Sequence, residues 1–74
     1  MRITYDSSVD AAYVYLIDTI APGGVKKSIS LDPIESEGDF TLDFDGEGRL
    51  IGVEVLEAAS RLHPDALRQA ELIG

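Results

Sequence analysis

Phe40-Thr41-Leu42-Asp43-Phe44-Asp45-Gly46-Glu47-Gly48-Arg49-Leu50-Ile51-Gly52-Val53-Glu54-Val55 is the stretch on which the fold turns. Phe40, Leu42 and Phe44 alternate with Thr41, Asp43 and Asp45, and beyond the glycines Ile51, Val53 and Val55 share one face. A period of two on both arms of a polar, glycine-bearing centre reads as a β-hairpin. Setting Phe44 opposite Arg49 pairs Leu42 with Ile51 and Phe40 with Val53, whereas a slip of one sets Phe40 against Glu54. The first register is the one expected, with Gly46 or Gly48 supplying the positive φ of the turn.

Toward the N-terminus, Arg2 to Tyr5 and Ala11 to Ile17 read as two more strands, separated by the polar Asp6-Ser7-Ser8. Tyr13, Val14, Tyr15 and Ile17 are side chains that suit a pleated surface. Pro22-Gly23-Gly24 breaks the chain before a strand from Val25 to Leu31, in which Lys27 falls on the apolar face at its edge. Asp32-Pro33 and Glu35-Ser36-Glu37-Gly38 read as a loop. From Leu56 the period changes: Leu62, Ala66, Ala70 and Ile73 make a helical stripe, and Pro64 suits a first-turn position with Asp65 beside it. Pro64 is also where this region can split into a turn near Ala58 to Leu62 and a second helix. The expected class is α+β, an antiparallel β-meander of four or five strands with a C-terminal helix packed on one face, all in a single domain over residues 1–74.

The 74 residues include 14 Asp and Glu against 6 Lys and Arg, a net charge of −8, with no Cys. So short a chain holds one small core, and without disulfides it needs another supplement. The strand Ala11 to Ile17 is apolar on both sides, with Tyr13, Tyr15 and Ile17 on one and Ala12, Val14 and Leu16 on the other. One helix covers one face, so a second copy is expected on the other: a homodimer. The acidic balance disfavours direct contact with nucleic acid. The longest apolar run, Ala11 to Ile17, is far short of the ~20 residues of a membrane span. No signal peptide is expected from Met1-Arg2-Ile3-Thr4-Tyr5-Asp6, and the lack of Cys suits the cytoplasm.

Candidate chemistry is sparse. Asp43, Asp45, Glu47 and Glu54 approximate the spacing of a calcium loop, but that site needs flanking helices and both flanks here have strand period. A charged turn is the expected reading. His63 stands alone before Pro64, without the further His or Cys of an ordinary metal site, and reads as an exposed or capping residue. Ser7, Ser8, Ser28, Ser30, Ser36 and Ser60 fit no nucleophile elbow. Gly46, Gly48 and Gly52 precede no helix that could hold a phosphate. Tyr5, Tyr13 and Tyr15 are expected in a core or dimer interface, and Asp6 and Asp10 as turn-formers. No catalytic, cofactor or metal residue is assigned, and the chain is not expected to be an enzyme.

Three blocks carry a resemblance: Ile3-Thr4-Tyr5-Asp6; Asp10-Ala11-Ala12-Tyr13-Val14-Tyr15-Leu16; and Leu42-Asp43-Phe44-Asp45 with Gly48-Arg49-Leu50-Ile51-Gly52-Val53-Glu54-Val55-Leu56. They resemble the small bacterial proteins of the domain of unknown function 2283 family, and the likeness fades beyond Ser60. The resemblance implies no established activity. It does imply, through relatives encoded beside small basic proteins similar to ribonuclease toxins, an antitoxin-like role. Together with the acidic charge, this gives the functional expectation: a small protein-interaction module that binds a basic partner. The contact would use Asp43, Asp45, Glu47, Glu54 and Glu57, with Tyr13 and Tyr15 as aromatic anchors. The alternative is a small-molecule-binding or hydrolytic domain with a pocket at a subunit interface.

Overall fold

The computed structural model describes residues 1–36 and 38–74. Among them, six strands form one sheet: β1 (Arg2–Asp6), β2 (Ala11–Tyr15), β3 (Lys27–Ser30), β4 (Phe40–Phe44), β5 (Leu50–Leu56) and β6 (Glu71–Leu72), in the spatial order β3-β4-β5-β2-β1-β6. Three four-residue helices accompany it: α1 (Pro33–Ser36), α2 (Ala58–Arg61) and α3 (Pro64–Leu67). The mixed α and β content agrees with the expected class, but the meander does not hold. β3, β4 and β5 do run as a meander, yet β2 pairs antiparallel with β5, not with β3. The N-terminal hairpin therefore docks whole against the far edge of the meander. The sheet is also not purely antiparallel, since β6 pairs parallel with β1.

The single C-terminal helix is replaced by α2, α3 and β6. The residue before a proline is pushed out of the helical region, and His63 is extended at φ −59, ψ 140, as is Leu62 before it. After α3 the chain is captured by the open edge of β1, with Ile73 N donating to Tyr5 O at 3.0 Å. Ile73, placed by periodicity on a buried stripe, is 59% exposed. The loop expected after Asp32 instead contains α1, begun by the Asp32 carboxylate accepting from Ile34 N at 2.9 Å. Glu37, the remaining part of that expected loop, lies outside the described residues. β2 stops at Tyr15 and β3 starts at Lys27, both shorter than their apolar patterns.

The β4–β5 hairpin keeps its expected faces but not its register. Leu42 pairs with Val53 and Phe40 with Val55, two residues beyond the expected partners, and Phe44 pairs with Leu50. Two features absorb the slide. Asp45 closes the turn over Gly48, which has φ 79, and a bulge between Asp43 and Phe44 shifts the ladder once more.

Strand alternation divides the sheet sharply. The inner face carries Ile3 and Tyr5, Ala12 and Val14, Ile29, Phe40 and Leu42, and Val53 and Val55. Ala12, Val55 and Ala58 are its buried centre, with Tyr5, Phe40, Val53, Leu62 and Leu67 packed around them. Asp10 ties the helical layer to the sheet from the hairpin turn. Its carboxylate accepts from Ala59 N at 3.0 Å and from the Tyr5 hydroxyl at 2.8 Å, and its carbonyl accepts from Ala58 N at 3.0 Å. This caps α2, whose own N-cap residue, Glu57, is left-handed at φ 54 and offers no side-chain bond.

Candidate protein-interaction face

The outer face holds the other set of alternating side chains: Arg2, Thr4 and Asp6 on β1, Tyr13 and Tyr15 on β2, Ser28 and Ser30 on β3, Thr41 and Asp43 on β4, Glu54 on β5 and Glu71 on β6. Every carboxylate borne by the described strands lies here. None lies on the inner face, where the strands' one charged residue is Lys27 at the edge, opposite Phe44. The expectation of Lys27 on the apolar side of an edge strand is borne out.

A line of polar and aromatic contacts crosses this face from edge to edge. Glu71 pairs with Arg2 at 3.7 Å, and the Arg2 guanidinium sits 4.0 Å from the centre of the Tyr15 ring. Tyr15 meets Tyr13 edge-on, with centroids 4.7 Å apart. The Tyr13 hydroxyl donates to Asp43 at 2.6 Å, and Ser28 donates to the other oxygen of the same carboxylate at 2.6 Å. To reach Asp43 on β4 from β2, the Tyr13 phenol must cross β5. It does so over Gly52, where a Cβ would run into the ring. That is the physical reason for glycine in the middle of a strand otherwise rich in Val, Ile and Leu.

The electrostatics follow from these contacts. Partial burial, then the hydrogen bond to Asp43, pushes the Tyr13 hydroxyl well above the ordinary tyrosine range. On the inner side the Asp10 hydrogen bond likewise raises Tyr5. Asp45 moves the other way: it accepts backbone bonds from Arg49 and Glu47, and its carboxyl is held below the usual carboxylate value.

The acidic residues singled out from the sequence do not form one patch. Asp43 and Glu54 share the centre of the outer face with Tyr13, which pairs directly with Glu54. Asp45 and Glu47 sit in the hairpin turn and both bind Arg49, at 3.0 and 3.1 Å. Glu57 lies at the start of α2, 3.9 Å from Arg61. Asp43 and Asp45, which calcium-loop spacing would bring to one ion, are thus committed to different partners. Tyr13 and Tyr15 are partly exposed on this polar face, and only Tyr5 joins the buried cluster. His63 caps α3, its Nδ1 accepting from Asp65 N at 3.0 Å, as the capping reading expected. Asp6 does bind its own turn, accepting from Ser8 N at 3.0 Å, but Asp10 acts across the fold. Sequence reasoning missed Arg2, Ser28 and Glu71 as parts of the outer face. With Lys27 on the apolar side, a period of two leaves Ser28 on the opposite one, but nothing local tells which strand it will neighbour.

Residues 2–58 match the family described as protein of unknown function DUF2283. The chain belongs to the DUF2283 family. The match spans β1 through β5 and the first residue of α2, so the DUF2283 part of the chain includes Arg2, Tyr13, Tyr15, Ser28, Asp43, Gly52 and Glu54. From the outer-face line, only Glu71 falls beyond it. Neither a curated protein nor a solved structure matches the chain. Among the described residues, no helix is long and apolar enough to cross a membrane.

Proposed function

We propose that this DUF2283 chain is an acidic protein-interaction module that takes a basic partner on its outer sheet face, in the manner of an antitoxin. The observation that carries the reading is the segregation of charge: the carboxylates of the described strands stand together on one face, beside two tyrosine rings. A lysine or arginine of the partner would meet Asp43 and Glu54 flanked by Tyr13 and Tyr15, a setting that offers both ion pairing and a ring face. Arg2 of the chain itself sits over Tyr15, 4.0 Å from the ring centre, which supports a cation-binding reading of these rings. The antitoxin-like part of the reading draws on the family resemblance, and a cysteine-free chain suits action in the cytoplasm.

The test is affinity capture from the native cell extract with two baits, wild type and the double variant Asp43→Asn, Glu54→Gln, followed by mass spectrometry. A basic protein recovered by wild type, released as salt rises and lost with the variant, is the expected result. Identical recovery by both baits, or a complex indifferent to salt, overturns the reading.

A further inference from the structure

The inner face is only half covered. Its first row of cross-strand neighbours, Tyr5, Ala12, Val55 and Phe40, lies beneath the helical layer. The next row runs Ile3, Val14, Val53, Leu42 and Ile29 across five strands. All five are apolar and none is fully buried; Ile29, on the edge strand, is 42% exposed. The row ends in two shallow depressions. One, of about 360 Å³, is lined by Ile29 and Phe44 with Lys26, Lys27 and Asp45 at its rim. The other, of about 460 Å³, is lined by Met1, Ile3, Val14 and Gln69 with the Arg2–Glu71 ion pair at its rim.

The face away from the helices, the expected place for a second copy, is the polar one; we infer instead that a second copy of this chain covers this row, the two inner faces meeting about a two-fold axis. Three observations select a second copy as the occupant. First, the chain exposes 4962 Å², where a globular monomer of 8.0 kDa exposes about 4,450 Å². The excess of about 500 Å² approaches the ~800 Å² that each partner contributes to a stable interface. Its Cα radius of gyration, 12.2 Å, likewise exceeds the about 11.3 Å of a compact 74-residue domain. Second, among the described residues the buried hydrophobics are Ala12, Ile51, Val55 and Ala58, a core too small to stand without a supplement, and the chain has no cysteine to supply one. Third, two copies each carrying −8 repel, so they can join only where carboxylates are not brought together. The row on the inner face meets that condition, because its five side chains are all apolar and the carboxylates at its two ends, Asp45 and Glu71, are each paired with an arginine of the same chain. A two-fold contact uses the same patch on both copies, and an apolar row complements itself.

This dimer is independent of the basic-partner reading, and salt separates the two. Screening weakens an acid–base contact but relieves repulsion between like-charged copies. Sedimentation equilibrium at micromolar concentration should give twice the chain mass, with tighter association as salt rises. Leu42→Glu and, at the exposed edge, Ile29→Glu each force a carboxylate into the contact and should raise the dissociation constant at least about tenfold. Circular dichroism should remain that of the folded chain for Ile29→Glu. The outer-face variant Glu54→Gln should leave the dimer intact. A monomer at every salt concentration overturns the inference, as does a dimer unaffected by both glutamate variants.

Discussion

The two faces of this sheet are built from the same strands and held by different forces. On the inner face, contacts are between apolar side chains, and what matters is volume: Ala12, Val55 and Ala58 form one buried cluster. On the outer face, contacts are directional, from Glu71 through Arg2, Tyr15 and Tyr13 to Asp43 and Ser28. A packed face loses stability in proportion to what is removed from it. A face of exposed hydrogen bonds and ion pairs loses little from any one change, because water replaces the lost partner. The consequence is direct: the outer face can vary its charges without unfolding the chain, while the inner face cannot take a charge without loss.

The largest expected effect tests that contrast at adjacent residues. Val55→Ala should cost about 2.5 kcal/mol, from two buried methyl groups and the space they leave. Glu54→Ala, one residue away on the other face, should stay within about 0.5 kcal/mol. Urea denaturation of the two variants measures both, and equal losses would break the comparison.

Asp10 sharpens it, because it anchors the inner layer with polar bonds. Asp10→Ala removes the cap on α2 and the Tyr5 bond, and strains a position at φ 51, for a loss of about 2 kcal/mol. Asp10→Gly loses the same bonds without the strain, so it should recover about 1 kcal/mol of that difference by thermal melting.

A smaller effect than that of Asp10→Ala comes from the hydrogen bonds of the outer face. Tyr13→Phe removes one partly exposed bond to Asp43 and should cost about 1 kcal/mol near neutral pH. Its pH dependence is more telling. The folded chain holds Tyr13 protonated above the ordinary tyrosine value, so this stabilisation is full below the unfolded value of about 10 and is lost as pH rises beyond it. Wild type should therefore lose more stability than Tyr13→Phe between neutral and strongly alkaline pH. Parallel losses would mean that the Tyr13–Asp43 bond contributes nothing.

The hairpin from Phe40 to Val55 shows how much of this was legible. A period of two forbids a slip of one residue but is blind to a slip of two, which keeps every side chain on its face. The faces of Phe40, Leu42, Val53 and Val55 followed from sequence; their partners did not, because the Asp45 turn and the adjoining bulge move the ladder by two. The capping role of His63 was legible because it is local, its bond reaching two residues along. The outer-face line was not, since Ser28 reaches Asp43 and Arg2 reaches Glu71 only after strands distant in sequence have paired.

By itself, then, the sequence determined the acidic balance, the alternation that sorts side chains between two faces, and the breaks at Pro22-Gly23-Gly24 and Pro64, all of which depend on near neighbours. Tertiary structure alone decided that β2 joins β5, that β6 runs parallel along β1, and that Asp10 caps a helix beginning at Ala58. Those outcomes turn on which unpaired strand edge or orphan amide is within reach once the chain has collapsed, and local pattern does not encode that distance.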